Sequence, residues 1–466
     1  MMFSMTYNFD TSILREYDIR GIMQETLSVQ DAYAIGRAFA SFKPEWKEKK
    51  PAIAVGRDGR LSSPALEEAL IKGLNDSGAE VVRIGVGPTP MLYFTVCSQK
   101  LDGGIMVTGS HNPPNHNGFK FMLGLKSFYG ADIKKLGEIA KAGAYFTGEG
   151  KVREHEVSEE YVDTLLNAYH GKKPLKVAWD AGNGASGDIM VALTQKLAGE
   201  HITLFSDIDG TFPNHHPDPS VAANLQDLIQ TVTSKKCDLG IAFDGDGDRI
   251  GVVDETGEIL WGDQLLALYS AEILKKHPGA TIIADVKASQ VLFDEVKRLG
   301  GKPLMWKTGH SLIKTKMAET GALIAGEMSG HMFFADEYFG YDDGIYAAVR
   351  IINLLANSDK TLSELRSALP QKISTPEIRI NCADDRKFSV MEEVSSRLTK
   401  AGADYNAIDG VRVNTEDGWW LLRASNTQAV LVARCEASSH EGLKRLQGNL
   451  EAELSHSSVA MEYGGH

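Results

Sequence analysis

The sequence predicts an α/β protein built as three related mixed α/β domains, residues 1–155, 156–258 and 259–371, followed by an α+β domain over 372–466. Three observations carry this. Apolar runs of strand length alternate with helical patterns in the order strand, loop, helix, strand, which favours sheets covered by helices. One kind of strand-to-loop junction recurs, as Val55-Gly56-Arg57-Asp58-Gly59, Trp179-Asp180-Ala181-Gly182-Asn183 and Ala284-Asp285-Val286-Lys287. After about Lys372 the texture changes to short strands set between two helices, the pattern of an α+β unit. A length of 466 residues suits roughly three or four domains.

The first domain opens on Leu14 to Gly21, which reads as a charged loop with one aromatic and two arginines. Ser28, with Asp31 three residues on, predicts a helix start, and Val29, Ala32, Tyr33, Gly36, Phe39 and Ala40 follow at helical spacing. Ala52 to Val55 reads as a strand. A helix from about Pro64 to Asn75 comes next, with Ser63 expected as its N-cap. Val81 to Ile84 is the next strand, and Gly85 to Pro90 a turn. The strand Gly104 to Val107 then runs into Thr108-Gly109-Ser110-His111-Asn112-Pro113-Pro114. Here Gly109 is expected to take a backbone conformation closed to other residues. The two prolines forbid continuation as helix or central strand. The expected result is a stiff bend at a strand end, with the Ser110 hydroxyl held out.

In the second domain Leu175 to Asp180, Ile202 to Phe205 and Asp238 to Phe243 read as strands, the last leading into Asp244-Gly245-Asp246-Gly247-Asp248-Arg249 and a further strand, Ile250 to Val253. The third repeats the order with strands Thr281 to Ala284, Pro303 to Trp306 and Ala322 to Ala325, the last entering Gly326-Glu327-Met328-Ser329-Gly330-His331. In the fourth, strands at Glu377 to Ile380, Val411 to Val413, Trp419 to Leu422 and Val430 to Ala433 accompany helices at Phe388 to Lys400 and His440 to Leu454.

Composition excludes several classes. A residue content 43% hydrophobic and 24% charged is that of a soluble globular protein. No apolar run approaches the ~20 residues of a membrane span, and Met1 to Met5 lacks a signal-peptide layout. The four cysteines form no CxxC pair, which argues against a disulfide framework or a cysteine metal site and for a cytoplasmic protein. A net charge of −13 disfavours nucleic-acid binding but leaves anionic small substrates open, because a site is local.

The acidic loop is the most specific motif. Asp244, Asp246 and Asp248, with glycines between, can turn three carboxylates inward as an oxygen cage for a hard divalent cation. An EF-hand is excluded because its sixth position, where Gly is needed, is Arg249, and a strand follows. Three protein ligands leave room for water or substrate, the way magnesium works with phosphates. Glu327, Ser329 and His331 set an acid, a hydroxyl and an imidazole in one turn, a set able to hydrogen-bond sugar hydroxyls. Arg423, Ser425, Asn426 and Thr427 offer a guanidinium, hydroxyls and loop amides suited to phosphate. Lys120 and His310 are candidate proton-transfer groups.

Taken in order, Thr108-Gly-Ser-His-Asn-Pro, Asp244-Gly-Asp-Gly-Asp-Arg, Gly326-Glu-Met-Ser-Gly-His and Arg423-Ala-Ser-Asn-Thr resemble the α-D-phosphohexomutases over almost the whole chain. Met328 favours the bacterial phosphomannomutase/phosphoglucomutase branch, since phosphoglucosamine mutases usually carry Gln there and Ala-Ser-His-Asn-Pro in the serine loop. The resemblance implies four domains around a central cleft, the last one mobile. It implies a phosphoryl group on Ser110, with Mg²⁺ held by that group and Asp244, Asp246 and Asp248. Glu327, Ser329 and His331 would hold the sugar, and Arg423, Ser425, Asn426 and Thr427 the phosphate that is not transferred. Tyr17, Arg20, Lys120, Arg249, Lys287 and His310 match cleft-lining positions. The implied reaction moves phosphate between the 1- and 6-positions of mannose or glucose through a hexose 1,6-bisphosphate. The implied partners are phosphorylated hexoses, with no nucleic acid or membrane, and the implied state is a monomer or weak dimer. Phosphoglucosamine mutase and a metal-dependent sugar phosphatase are the alternatives. Relatives often end the phosphate loop with proline; here Gln428-Ala429 follows, and a more flexible loop is expected.

Overall fold

A computed structural model of the chain describes residues 6–426 and 428–461. Four sheets follow one another along it. The first sets Ile19–Ile22, His116–Leu123, Gly103–Val107, Ala52–Arg57, Glu80–Val86 and Val152–Glu154 side by side, with Lys126–Ser127 paired on His116–Leu123. The second orders Ile259–Leu260, Ile250–Asp254, Leu239–Phe243, Leu175–Asp180 and Gly199–Leu204. The third orders Lys302–Trp306, Thr281–Asp285, Ile324–Gly326 and Met332–Phe334.

The three sheets share one four-strand plan. The first strand of the plan lies inside, the second and third flank it in parallel, and the fourth returns antiparallel to the third. Helices supply the parallel crossovers, as βαβ geometry demands. In each repeat the turn between third and fourth strands carries a motif: Ser110 in the first, the three aspartates in the second, Glu327 to His331 in the third. These turns leave the carboxyl end of a parallel strand, where ligands collect in such sheets.

The fourth sheet is antiparallel, with Val430–Ala437 paired to Gly418–Ala424 on one side and to Ile378–Asn381 and Ile373–Ser374 on the other. Helices Lys387–Lys400 and His440–His456 bury Val390, Val394, Leu446 and Leu450 against its Trp420 face. The opposite face puts Trp419 and Leu421 against Val286 of the third repeat.

Several expectations are corrected. Leu14 to Gly21 is not all loop, since Ile19–Ile22 pairs with the strand His116–Leu123, itself unread because it mixes His, Asn and Lys with its apolar residues. Ser63 is the first residue of helix Ser63–Asp76 and not its cap; its hydroxyl bonds Asp58 Oδ1 at 2.5 Å. The cap at Ser28 has the expected reciprocal bonds with Asp31. Helix Thr89–Gln99 carries no readable stripe because it is buried over most of its length.

Candidate active site

Ser110 sits at the end of the strand Gly103–Val107, and the conformation closed to most residues belongs to Ser110 itself, with φ of 48°. Gly109 is needed for a different reason: a Cβ there would lie 2.4 Å from Arg60 Nε. Arg60 is the staple of this turn. Its guanidinium is fully buried and donates to the carbonyls of Ser110 (2.7 Å), Asn112 (2.6 Å), Pro113 (2.6 Å) and His116 (3.0 Å), while Nε holds Asp58 at 3.1 Å. Asp58 also accepts from the Gly109 amide at 3.0 Å. The Ser110 hydroxyl is therefore not held out in solvent. It is 3% exposed, 3.1 Å from His111 Nδ1, and donates to Asp244 Oδ2 at 3.1 Å.

The acidic loop meets Ser110 from the second domain. Gly245 permits the approach, because a Cβ there would lie 2.3 Å from the Ser110 carbonyl oxygen, and Gly247, at φ 75°, turns the chain. Asp244, Asp246 and Asp248 are fully buried, with one oxygen of each within 4.8 Å of the others. Lys120, from the returning strand of the first domain, puts Nζ 2.7 Å from Asp246 Oδ2 and 2.5 Å from Asp248 Oδ2. Thr89, at the start of its helix, donates to Asp246 Oδ2. Burial and the neighbouring Asp248 and Asp246 push Asp244 upward in pKa. Burial works against Asp248 as well, but Lys120 and His331 outweigh it and hold its pKa well below the usual range. Burial likewise opposes the charge on Lys120, and the three carboxylates overcome it and raise its pKa.

This donor set fits a divalent cation. It is all hard oxygen, and Asp246 Oδ1 is buried with no hydrogen-bond partner among the described residues. An orphaned carboxylate oxygen in a dry site is costly unless an ion or donor meets it.

The third domain closes the opposite side. His331 bridges Asp248 Oδ1 at 3.2 Å and Glu327 Oε2 at 3.0 Å, with Ser329 Oγ 3.2 Å from Nδ1. Burial opposes its charge, but Asp248 and Glu327 push its pKa up to about 9. With both ring nitrogens protonated, Arg249 Nε at 3.4 Å is a packing contact and cannot donate to Nε2. Arg249 also bonds Asp244 Oδ1 through its backbone amide at 3.1 Å and faces Asp218 at 3.9 Å. Glu327 accepts from the Gly309 amide at 2.6 Å; burial opposes its charge, yet its pKa is lowered to about 2 by His331 and Lys287. His310 opens its helix, stacks on His331 at 5.6 Å between centroids, and turns Nδ1 to Asp342 at 3.3 Å. Burial, then Lys314, lowers its pKa.

The fourth domain supplies Arg423, Ser425 and Asn426; Thr427 lies outside the described residues. Arg423 is buried and donates to Asp409 Oδ2 at 2.9 Å. Asp409 Oδ2 also accepts from the Thr308 amide at 3.0 Å. Asn426 Nδ2 donates to the Tyr17 hydroxyl at 2.6 Å, and Tyr17 donates to the Thr308 carbonyl at 2.9 Å. Tyr17 thus joins the first, third and fourth domains. Lys287 faces Glu377 at 3.0 Å. Arg20 is turned onto Asp18. Gln428, where relatives were expected to carry proline, is held by Arg379 at 2.6 Å through its side chain and by Lys387 at 2.9 Å through its carbonyl, which anchors the C-terminal end of the loop.

All four parts of the chain match domains described as phosphoglucomutase/phosphomannomutase: alpha/beta/alpha domain I at residues 11–143, domain II at 159–257, domain III at 261–373 and the C-terminal domain at 377–453. The chain belongs to the phosphoglucomutase/phosphomannomutase family. A phosphomannomutase/phosphoglucomutase of Pseudomonas aeruginosa is 45% identical over 436 residues, 94% of each chain. A phosphoglucomutase of Neisseria meningitidis is 44% identical over 449 residues, 96% of this chain and 97% of the other. A crystal structure of a phosphoglucomutase/phosphomannomutase family protein from Burkholderia thailandensis superposes with a TM-score of 0.90 at 42% identity, covering 97% of this chain and 98% of that one. Within this family member, sequence reasoning missed Arg60, Thr89, Asp342, Asp409 and Glu377. Asp58 stood in the recurrent junction Val55-Gly56-Arg57-Asp58-Gly59, with Arg60 next to it, a signal read as fold and not as site.

Proposed function

We propose that the protein interconverts the 1- and 6-phosphates of mannose and glucose through a phosphoserine and a hexose 1,6-bisphosphate. The observation that carries this is the Ser110 hydroxyl, held 3.1 Å from Asp244 beside a buried carboxylate triad. A phosphoryl group on Ser110 would lie against Asp244, Asp246 and Asp248, which with that group would hold Mg²⁺; the ion would draw charge from the transferring oxygens.

The chain's own residues do the rest. Arg60 fixes the turn so that the donor oxygen stays in place, and positioning dominates such transfers. Glu327, Ser329 and His331 orient the sugar. Arg423, Ser425, Asn426, Thr427 and Lys287 hold its other phosphate, while Tyr17, Arg20 and Arg249 line the space between. Two groups are placed to take the attacking hydroxyl's proton. The His310 ring has its pKa lowered, and its Nδ1 lies 3.3 Å from both Asp342 Oδ2 and Lys314 Nζ; in the tautomer that turns Nδ1–H to Asp342, Nε2 is the acceptor. The Lys120 ammonium is held by Asp246 and Asp248 and acts as a base only when those carboxylates turn elsewhere. The bisphosphate then turns over and returns its other phosphate to Ser110. Charged sugar phosphates do not cross membranes unaided, and a cytoplasmic setting suits them; among the described residues no helix is long and apolar enough to span a bilayer.

Ser110→Ala tests the reading. Turnover of mannose 1-phosphate and glucose 1-phosphate should vanish while sugar-phosphate binding persists, and intact mass of the parent protein should show a phosphoryl adduct that the variant lacks. Parent-level turnover in a verified Ser110→Ala preparation would sink it. Glucosamine 6-phosphate conversion, or inorganic phosphate release without isomer, would favour the alternatives.

A further inference from the structure

Two cations of the phosphate-binding region already carry carboxylates from the C-terminal domain. Arg423 holds Asp409, and Lys287 Nζ lies 3.0 Å from Glu377 Oε2 but 3.9 Å from Asp285 Oδ2. The other oxygen of Glu377 meets Arg379 at 3.1 Å. Glu377 also feels the Arg423 charge, and Arg423 and Lys287 repel one another. Its carboxylate is therefore the counter-ion shared among three cations. It stands just before the strand Ile378–Asn381, on the connection that leads from the third domain into the fourth.

An ammonium on Lys287 offers the same hydrogens and the same field to a carboxylate and to a phosphate oxygen. We propose that Glu377 competes with the substrate's phosphate for Lys287 and so limits how tightly the cleft grips its ligand. The proposal rests on the mutase reading, in which a bisphosphorylated sugar must release one phosphate, turn and bind the other. A cleft with uncompensated Lys287 and Arg423 charges would hold the first orientation and delay the turn. A carboxylate on the interdomain connection opposes that trap, because it takes Lys287 back as the phosphate leaves. It also ties phosphate binding to the position of the C-terminal domain, which carries Glu377.

The test is Glu377→Gln, which keeps the shape and removes the charge. In a Ser110→Ala background, so that no transfer occurs, glucose 6-phosphate and inorganic phosphate are titrated calorimetrically. Binding of both should tighten about tenfold relative to Ser110→Ala alone. With Ser110 intact, KM and kcat for glucose 1-phosphate should fall together. Glu377→Asp draws the carboxylate back by one methylene and should tighten binding in the same direction, which serves if the Gln variant does not fold. A merely structural role for Glu377 predicts the opposite sign, and unchanged or weaker phosphate binding in folded protein of either variant overturns the proposal. Isomer formation by the parent protein is scored separately: its absence with the tightening intact would defeat the mutase reading alone.

Discussion

Arg60→Lys is the sharpest perturbation of the serine turn. The guanidinium makes four bonds to carbonyls of residues 110 to 116 and a fifth to Asp58, all without solvent. Lysine keeps the charge but has no planar fork, and its point donor reaches Asp58 or one or two carbonyls. At least two carbonyls then lose their donor, each at about 1–3 kcal/mol when buried. A loss of roughly 3–5 kcal/mol follows, the range for a broken buried charged network. The turn also loses its register. A shift of about 1 Å at a reacting group costs on the order of 10²-fold in rate. Urea unfolding followed by tryptophan fluorescence reads the first effect, and a coupled assay from glucose 1-phosphate reads the second. The expected pattern is a kcat drop near a hundredfold with KM little changed, since Arg60 touches the turn and not the sugar loops. A variant with parental stability and parental kcat would refute the staple.

Two further outcomes follow from the cross-domain contacts. Tyr17→Phe removes the hydroxyl that accepts from Asn426 and donates to Thr308; kcat/KM should fall about tenfold, with melting shifted by only a few degrees, and an unchanged kcat/KM would remove Tyr17 from the cleft's closure. His331 sets a pH window: its folded pKa of about 9 lies above the ordinary 6.5, so its stabilisation is complete below about 6.5 and is lost as pH rises through 9. In metal-chelated protein this amounts to roughly 3 kcal/mol, and His331→Gln should flatten the stability profile between those limits; a flat profile in the parent protein counts against the charged bridge.

The repeated fold was legible because its strands are short apolar runs ending in Gly-rich loops, and those junctions recur with little disguise. The three aspartates were legible for a related reason: carboxylates alternating with glycines have few structural uses. The staple was not. Nothing in Arg60 as a letter says that four carbonyls fifty residues later will point at it. Gly109 misled for the same reason, since its lack of a side chain serves Arg60's packing while Ser110 takes the left-handed conformation. Helix Thr89–Gln99 escaped because burial over most of its length erases the period on which such reading depends. Counter-ions such as Glu377 and Asp409 escaped because pairing across domains leaves no spacing signal.

The same pairings explain why the site needs several domains. Ser110 and Lys120 belong to the first, the three aspartates to the second, His331 to the third, and no one of them holds both the acidic triad and its counter-charges. Without Lys120 and His331 the triad would be three carboxylates in mutual repulsion; with them, docking three repeats is what makes the charges tolerable. The fourth domain is joined differently. Its far side is fixed to the third by buried Arg412, which donates to the carbonyls of Val286 (2.8 Å) and Ala288 (2.7 Å), and by the apolar contact of Trp419 and Leu421 with Val286. Its cleft side is held by two single hydrogen bonds, Asn426 to Tyr17 and Asp409 to the Thr308 amide, and by the Glu377–Lys287 ion pair. A buried guanidinium is costly to separate, whereas single hydrogen bonds at a cleft exchange readily with water. If the fourth domain swings, it pivots near Arg412 and parts at Tyr17. On the proposed reading of the site, Lys287 and Arg423, which carry Glu377 and Asp409 on that cleft side, are the cations a sugar phosphate would take up.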